Sequence, residues 1–123
     1  MREPKVFSDS YQFTICLFGR TKSFPRSLRP TLGRKMEELS LEMTQNLRRA
    51  LMTPVKASKG SGPSLRLRLL KTASDHLDDL RVLMDLSRDL QVLPVAAFEE
   101  LTKLSRQIGR EIGGLIKHAD GEA

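Results

Sequence analysis

The sequence predicts an all-α fold, an up-down-up-down antiparallel four-helix bundle. Three observations carry this. Apolar residues recur at helical intervals along nearly the whole chain, and nothing alternates with period two over a useful length. Proline-containing breaks divide the chain into four long segments, each with one apolar stripe. Two of the breaks are short turns and one is a medium loop, which makes consecutive helices antiparallel neighbours. With 123 residues, 39% hydrophobic and 29% charged, the chain has the balance of one ordinary globular domain and is poorly suited to wholesale disorder.

Helix 1 is expected from about Val6 to Lys22. Val6, Phe13, Leu17 and Phe24 step at helical intervals, and Phe7, Ile15 and Phe18 broaden the face. Phe24-Pro25 ends it, because proline disfavours a helical residue before it. Helix 2 begins near Pro30, a residue welcome in a first helical turn, and ends near Thr53. Its stripe is Leu32, Met36, Leu39, Met43, Leu47 and Ala50. The segment "TPVKASKGSGP", residues 53–63, reads as a flexible loop. Helix 3 runs from about Ser64 to Gln91 on Leu65, Leu69, Ala73, Leu77, Leu80, Met84 and Leu90, widened by Leu70, Leu83 and Leu86. After the short turn "QVLP", Pro94 opens helix 4, which carries Phe98, Leu101, Leu104, Ile108, Ile112 and Leu115 to about Lys117. Residues 1–119 form one domain, and 120–123 a disordered tail. Helices of these lengths make a bundle about 30–40 Å long at ~1.5 Å per residue.

The catalytic inventory is thin. Cys16, the one cysteine, sits in an apolar run and reads as a packed thiol. His76 and Asp79 alone are a weak metal pair. The Arg68–His76 and Arg110–His118 spacings are too wide for the arginine–histidine motif of helical-bundle ribonuclease toxins. Asp78 and Asp79 are adjacent and point to different faces, and no strand precedes a glycine-rich phosphate loop. The expectation is a protein with no catalytic residues, no metal and no cofactor. No signal peptide is visible, and the longest apolar run, "ICLF", is too short to span a bilayer. A cytoplasmic protein with no membrane partner is expected.

Charge is the strongest signal. The net charge is +6, but residues 1–71 hold 15 bases and 5 acids, and residues 72–123 hold 6 bases and 10 acids. Such a split points to a polyanion partner, or to oppositely charged faces that meet between subunits; the alternative is a solvated surface without a partner. Sorted by bundle end, Arg20, Lys22, Arg26, Arg29, Arg34 and Lys35 gather where helix 1 passes to helix 2. Arg48, Arg49, Lys56, Lys59, Arg66, Arg68 and Lys71 gather around the loop. Bases near a helix C-terminus suit its dipole, whereas Arg29, Arg34, Lys35, Arg66 and Arg68 sit in opening turns, where the dipole opposes them. Cations added to free N–H groups there make an anion site. Backbone phosphates of RNA or DNA are the expected ligands, with little sequence reading, because surface aromatics for base stacking are scarce.

Gly109, Gly113 and Gly114 interrupt helix 4. Each glycine in a helix interior costs about 1 kcal/mol against alanine, which asks for close approach by another helix, inside the bundle or in a neighbouring subunit.

The segment "FPRSLRPTLGRKM", then "LDDLRVLMDLSRDLQVLPVAAFEELTKLSRQIGREIGGLIKHA", resembles the accessory variability determinant (Avd) proteins of diversity-generating retroelements. The shared pattern is a Phe-Pro, an Arg-x-x-Leu-Gly-Arg opening helix 2, a Leu-Arg-x-Leu on helix 3 and a closing Ile-Gly-Arg-x-x-Gly-Gly. It spans Phe24–Ala119, interrupted by the loop, and its order and spacing carry it. A broader similarity is to the four-helix-bundle family encoded by intervening sequences in bacterial large-subunit ribosomal RNA genes. The resemblance implies a homopentamer that binds nucleic acid through a basic surface. It also implies a reverse transcriptase of the same element as partner, which makes mutagenic cDNA from a template repeat RNA. Arg26, Arg29 and Arg34 fall in the family's basic motif, and Gly109, Arg110, Gly113 and Gly114 in its closing motif. The alternative reading is a small bundle that binds ribosomal RNA or a protein partner.

Overall fold

The computed structural model describes residues 4–54 and 62–122, and within them the expected four-helix bundle. Helix α1 is Lys5–Thr21, α2 is Arg34–Met52, α3 is Leu65–Asp89 and α4 is Val95–Glu122. A π-helical turn, Arg29–Gly33, leads straight into α2. The helices close a ring in which α1 packs on α2, α2 on α3, α3 on α4 and α4 on α1. Most of the 53–63 loop lies outside the described residues.

The apolar stripes fill the centre of the ring. Phe13, Leu17, Met36, Met43, Leu47, Leu70, Leu77, Leu80, Leu101 and Ile108 are buried. Every stripe residue expected on helix 2 is buried. On α3 the register differs at both ends: Leu67 turns inward alongside the expected Leu70, while Leu65, Leu86 and Leu90 are exposed. A helix in a ring of four touches only two neighbours, so its buried arc is limited and the widest apolar positions fall outside it. Ile15, expected to broaden the α1 face, is likewise exposed.

The α1–α2 seam carries hydroxyls. Ser10 Oγ and Thr44 Oγ1 are 2.6 Å apart, and Thr14 Oγ1 reaches Thr44 Oγ1 at 3.1 Å. Each buried hydroxyl thus has a partner, which removes the desolvation cost of about 1–3 kcal/mol that an orphan would carry. The α1 exit is fixed by Phe24, which is buried beside Thr21 and Gly33. Thr21 Oγ1 donates to the Glu37 carboxylate in the first turn of α2. A methyl on Gly33 would sit 3.6 Å from the Phe24 ring, an ordinary contact, so close approach does not require glycine there.

α4 continues through Asp120 to Glu122, beyond the expected end near Lys117, and Ala119 is buried against the core. That contact extends the packed stripe by another turn. The α3–α4 turn is closed by a left-handed residue, Gln91, at φ 62°. Val92 N–H donates to Ser87 O at 3.0 Å and Gln91 N–H to Arg88 O at 2.9 Å, the paired bonds of a Schellman cap. A side chain in that conformation costs about 1–2 kcal/mol, which glycine avoids at some entropic cost. Gln91→Gly is therefore expected to raise unfolding free energy by about 0.5–1 kcal/mol, read by urea denaturation. A loss of stability would mean the Gln91 side chain contributes packing that outweighs the backbone strain.

Candidate nucleic-acid interface

The expected basic residues fall into two groups at opposite ends of the bundle. Lys35 and Arg49 are 14 residues apart on α2, about 21 Å at ~1.5 Å per residue. Arg20, Lys22, Arg26, Arg29, Arg34 and Lys35 are exposed around the α1–α2 corner, and Arg48, Arg49 and Arg68 are exposed at the loop end. Lys56 and Lys59 lie outside the described residues. Between the two groups the outer face of α2 carries Glu38 and Glu42. The basic surface is thus two corners with an acidic stretch between them.

Several of these cations are engaged within the chain. Arg29 Nε donates to Phe24 O at 2.9 Å, tying the corner to the residue that ends α1. Arg34 pairs with Glu38 at 3.3 Å across one helical turn, an exposed pair worth only about 0.3–0.5 kcal/mol. Arg66, expected at an anion site, has another role. Its Nη1 donates to Ala50 O and Thr53 O, both at 3.3 Å, so its positive charge caps the carboxyl end of α2. Its Nε is buried without a partner among the described residues. The opening turn of α2 also differs from the expected cradle of free N–H groups. Leu28 and Arg29 N–H bond to Pro25 O, Gly33 N–H bonds to Leu28 O, and Arg34 N–H reaches Arg29 O and Thr31 O. The π turn thus engages the N–H groups of Leu28, Arg29, Gly33 and Arg34 itself.

Arg20, Lys22, Arg26 and Lys35 at one end, and Arg48, Arg49 and Arg68 at the other, make no hydrogen bond or ion pair to any described residue. These seven, with Lys71 at the loop end, are the exposed cations of the two ends that engage no described residue; Lys103, Arg106 and Lys117 on α4 are exposed and unengaged among the described residues as well. Tyr11 is 55% exposed and stands 6.1 Å from the half-buried Phe7 ring, so one aromatic expected to be scarce at the surface is there.

The glycines of α4 divide into two kinds. A Cβ on Gly109 would lie 2.6 Å from Arg81 Nη2, and that guanidinium donates to Ser105 O at 2.9 Å. The close approach at Gly109 comes from an arginine side chain on α3, and no helix backbone is involved. Gly113 and Gly114 have nothing within 4 Å of a Cβ, so packing inside this chain does not explain them. Arg110 is exposed and donates to Gln107 Oε1 at 2.6 Å.

Sequence reasoning missed three arrangements. Arg88 stacks 4.4 Å from the centre of the Phe98 ring and pairs with Asp89 at 3.2 Å. His76 Nε2 faces Glu42 at 3.4 Å, linking α3 to α2. Lys5 bridges Asp9 at 2.7 Å and Glu111 at 3.5 Å, joining the start of α1 to α4. The spacing of Lys5 and Asp9 and the adjacency of Arg88 and Asp89 were local signals; the Arg88–Phe98, His76–Glu42 and Lys5–Glu111 contacts join different helices. Burial pushes the Glu111 carboxyl above the usual range, and Asp9 adds to this. Burial likewise pushes the Cys16 thiol up, which lowers its thiolate fraction.

Two predictions follow from these contacts. Gly113→Ala and Gly114→Ala are expected to raise stability by about 0.5–1 kcal/mol each. Gly109→Ala should gain about 1 kcal/mol less, because the new methyl displaces Arg81 from Ser105 O. Equal gains at all three positions in thermal melts would show that the Arg81 contact contributes nothing. For Glu111, the elevated carboxyl favours the protonated folded state. Its contribution is complete below the ordinary glutamate range and is lost as pH rises through the elevated value. Glu111→Gln should then gain stability relative to the parent as pH rises from acid to neutral, in urea titrations at a pH series. A constant difference across that range would contradict the assignment.

Among the described residues no helix is long and apolar enough to cross a membrane. No protein-family model matches this chain, and no curated protein matches it.

Proposed function

We propose that this protein is a non-enzymatic, nucleic-acid-binding accessory subunit of a diversity-generating retroelement. In this reading it assembles as a homopentamer in the cytoplasm and pairs with the element's reverse transcriptase during mutagenic reverse transcription. The observation that carries the nucleic-acid part is the set of exposed cations at both ends of the bundle that make no hydrogen bond or ion pair to any described residue. Exposed bases that neutralise nothing at home are free to release counterions from a polyanion. The retroelement part rests on the resemblance of the Phe24–Ala119 segment, whose basic motif supplies the corner at Arg26, Arg29 and Arg34.

The two corners about 21 Å apart suit a ligand with charge distributed along its length, and an RNA or DNA backbone has that form. Contact through phosphates makes binding depend steeply on salt. If about six phosphates are engaged, the logarithm of affinity should fall with the logarithm of salt with a slope of about −5. Replacing Arg26 and Lys35 with glutamine should reduce that slope by about 2, whereas Arg66→Gln should lower stability by about 1–3 kcal/mol through its lost α2 cap. Fluorescence anisotropy with labelled RNA and DNA at several salt concentrations makes the measurement. An unchanged slope in the Arg26 and Lys35 variant would remove that corner from the interface. Co-purification with the reverse transcriptase and its template RNA at two salt concentrations tests the partner, and recovery of ribosomes alone would favour the ribosomal-RNA reading.

A further inference from the structure

Two contiguous apolar surfaces among the described residues lie outside the core and outside the basic corners. The first is a groove of about 440 Å³ between the outer faces of α1 and α2, with Tyr11, Ile15, Phe18 and Leu41 on its walls. Ile15 is 52% and Leu41 45% exposed. The second is a stripe on the outer face of α3, where Val82, Leu86 and Leu90 stand one turn apart and are 64%, 44% and 48% exposed. Monomeric proteins scatter such residues singly; contiguous sets mark contact surfaces.

The two surfaces match in length, and the ends of the groove oppose the stripe in charge, while Glu38, paired with Arg34, and Glu42 stand on α2 between those ends. From Tyr11 to Phe18 the groove runs about 10 Å, and from Val82 to Leu90 the stripe runs about 12 Å, at ~1.5 Å per residue. Arg34 and Arg48 lie seven residues either side of Leu41 on the same face of α2, and Lys22 lies seven beyond Ile15, just past the end of α1. The groove therefore has bases at both ends. Asp75 and Asp79 precede the stripe and Asp89 lies within its far end. Asp75 and Asp79, like Lys22 and Arg48, have no hydrogen bond or ion pair to any described residue.

We propose that the outer face of α3 in a second copy of this chain seats in the α1–α2 groove, with Val82, Leu86 and Leu90 against Ile15 and Leu41. This rests on the oligomeric reading above and assigns its contact. Because groove and stripe are different surfaces of one chain, the contact is heterologous, and repetition closes a ring if the rotation permits. It also divides the basic residues by task. Lys22, Arg34 and Arg48 face the neighbouring subunit, and Arg20, Arg26, Lys35, Arg49 and Arg68 are left for phosphate. Charge at the two rims steers association and makes it weaken as salt rises.

The test uses two full-length variants at exposed positions, Ile15→Asp in the groove and Leu86→Asp in the stripe, each checked for a parent-like thermal melt. Sedimentation velocity at micromolar concentration should show an oligomer for the parent and a monomer for each variant alone. Mixing them should give a dimer that grows no further, since only the intact stripe of one meets the intact groove of the other. A monomeric parent overturns the proposal. So does an oligomer that survives either substitution, because then that surface is not in the contact. If Ile15→Asp leaves the oligomer intact and weakens RNA binding several-fold, the groove holds nucleic acid and the proposal fails. RNA affinity of the parent is measured in parallel. A monomer that still binds RNA sinks this contact and leaves the nucleic-acid reading standing, whereas a ring that binds no nucleic acid does the reverse.

Discussion

The burial of four apolar stripes against one shared centre is the constraint on which the rest of this bundle depends. Phe13, Leu17, Met36, Met43, Leu77, Leu80, Leu101 and Ile108 meet there from all four helices. Fully burying a side chain of this kind contributes about 1.5–3 kcal/mol, and no helix here can bury its stripe alone. Once the inner faces are committed, every charged residue is pushed outward or to the ends. The order of the connections then decides which charges become neighbours. The α1–α2 corner and the loop end collect bases because the first half of the chain is basic, and the outer face of α3 collects acids because the second half is acidic.

Arginine serves two purposes in this protein. Arg29, Arg66 and Arg81 direct guanidinium N–H groups to the carbonyl oxygens of Phe24, of Ala50 and Thr53, and of Ser105. These are helix-end or helix-face acceptors that water would otherwise satisfy, and a delocalised fork reaches them at lower desolvation cost than an ammonium. The remaining exposed cations have no such duty. A basic composition thus overstates the cationic surface left open, since part of it bonds carbonyls between elements.

Much of the fold was legible from residue spacing. The helix 2 stripe, Leu32 to Ala50, was read without error because 3.6-residue periodicity is a local property. The breaks at Phe24-Pro25 and Pro94 were legible because proline acts on its own backbone and its neighbour's. What failed was the width of the buried arc. Leu65, Leu86 and Leu90 are as apolar as Leu67 and Leu70, and only the positions of α2 and α4 decide which of them are covered. The candidate site was legible as composition and clustering, whereas the bonds of Arg66 and Arg29 to carbonyls were not, because those acceptors belong to other segments of the chain.

By itself the sequence determined the helices, their stripes, their antiparallel order and the separation of charge along the chain. Those follow from local spacing, from proline and from connection length. Tertiary structure decided which cations are spent on carbonyls, that Arg81 lies across Gly109, that Gly113 and Gly114 face outward, and that the Tyr11–Leu41 groove and the Val82–Leu90 stripe stay open. Each of these depends on the distance between residues that only packing brings together. A hydrogen bond or an exposed face is a property of two elements at once, and no single segment contains it.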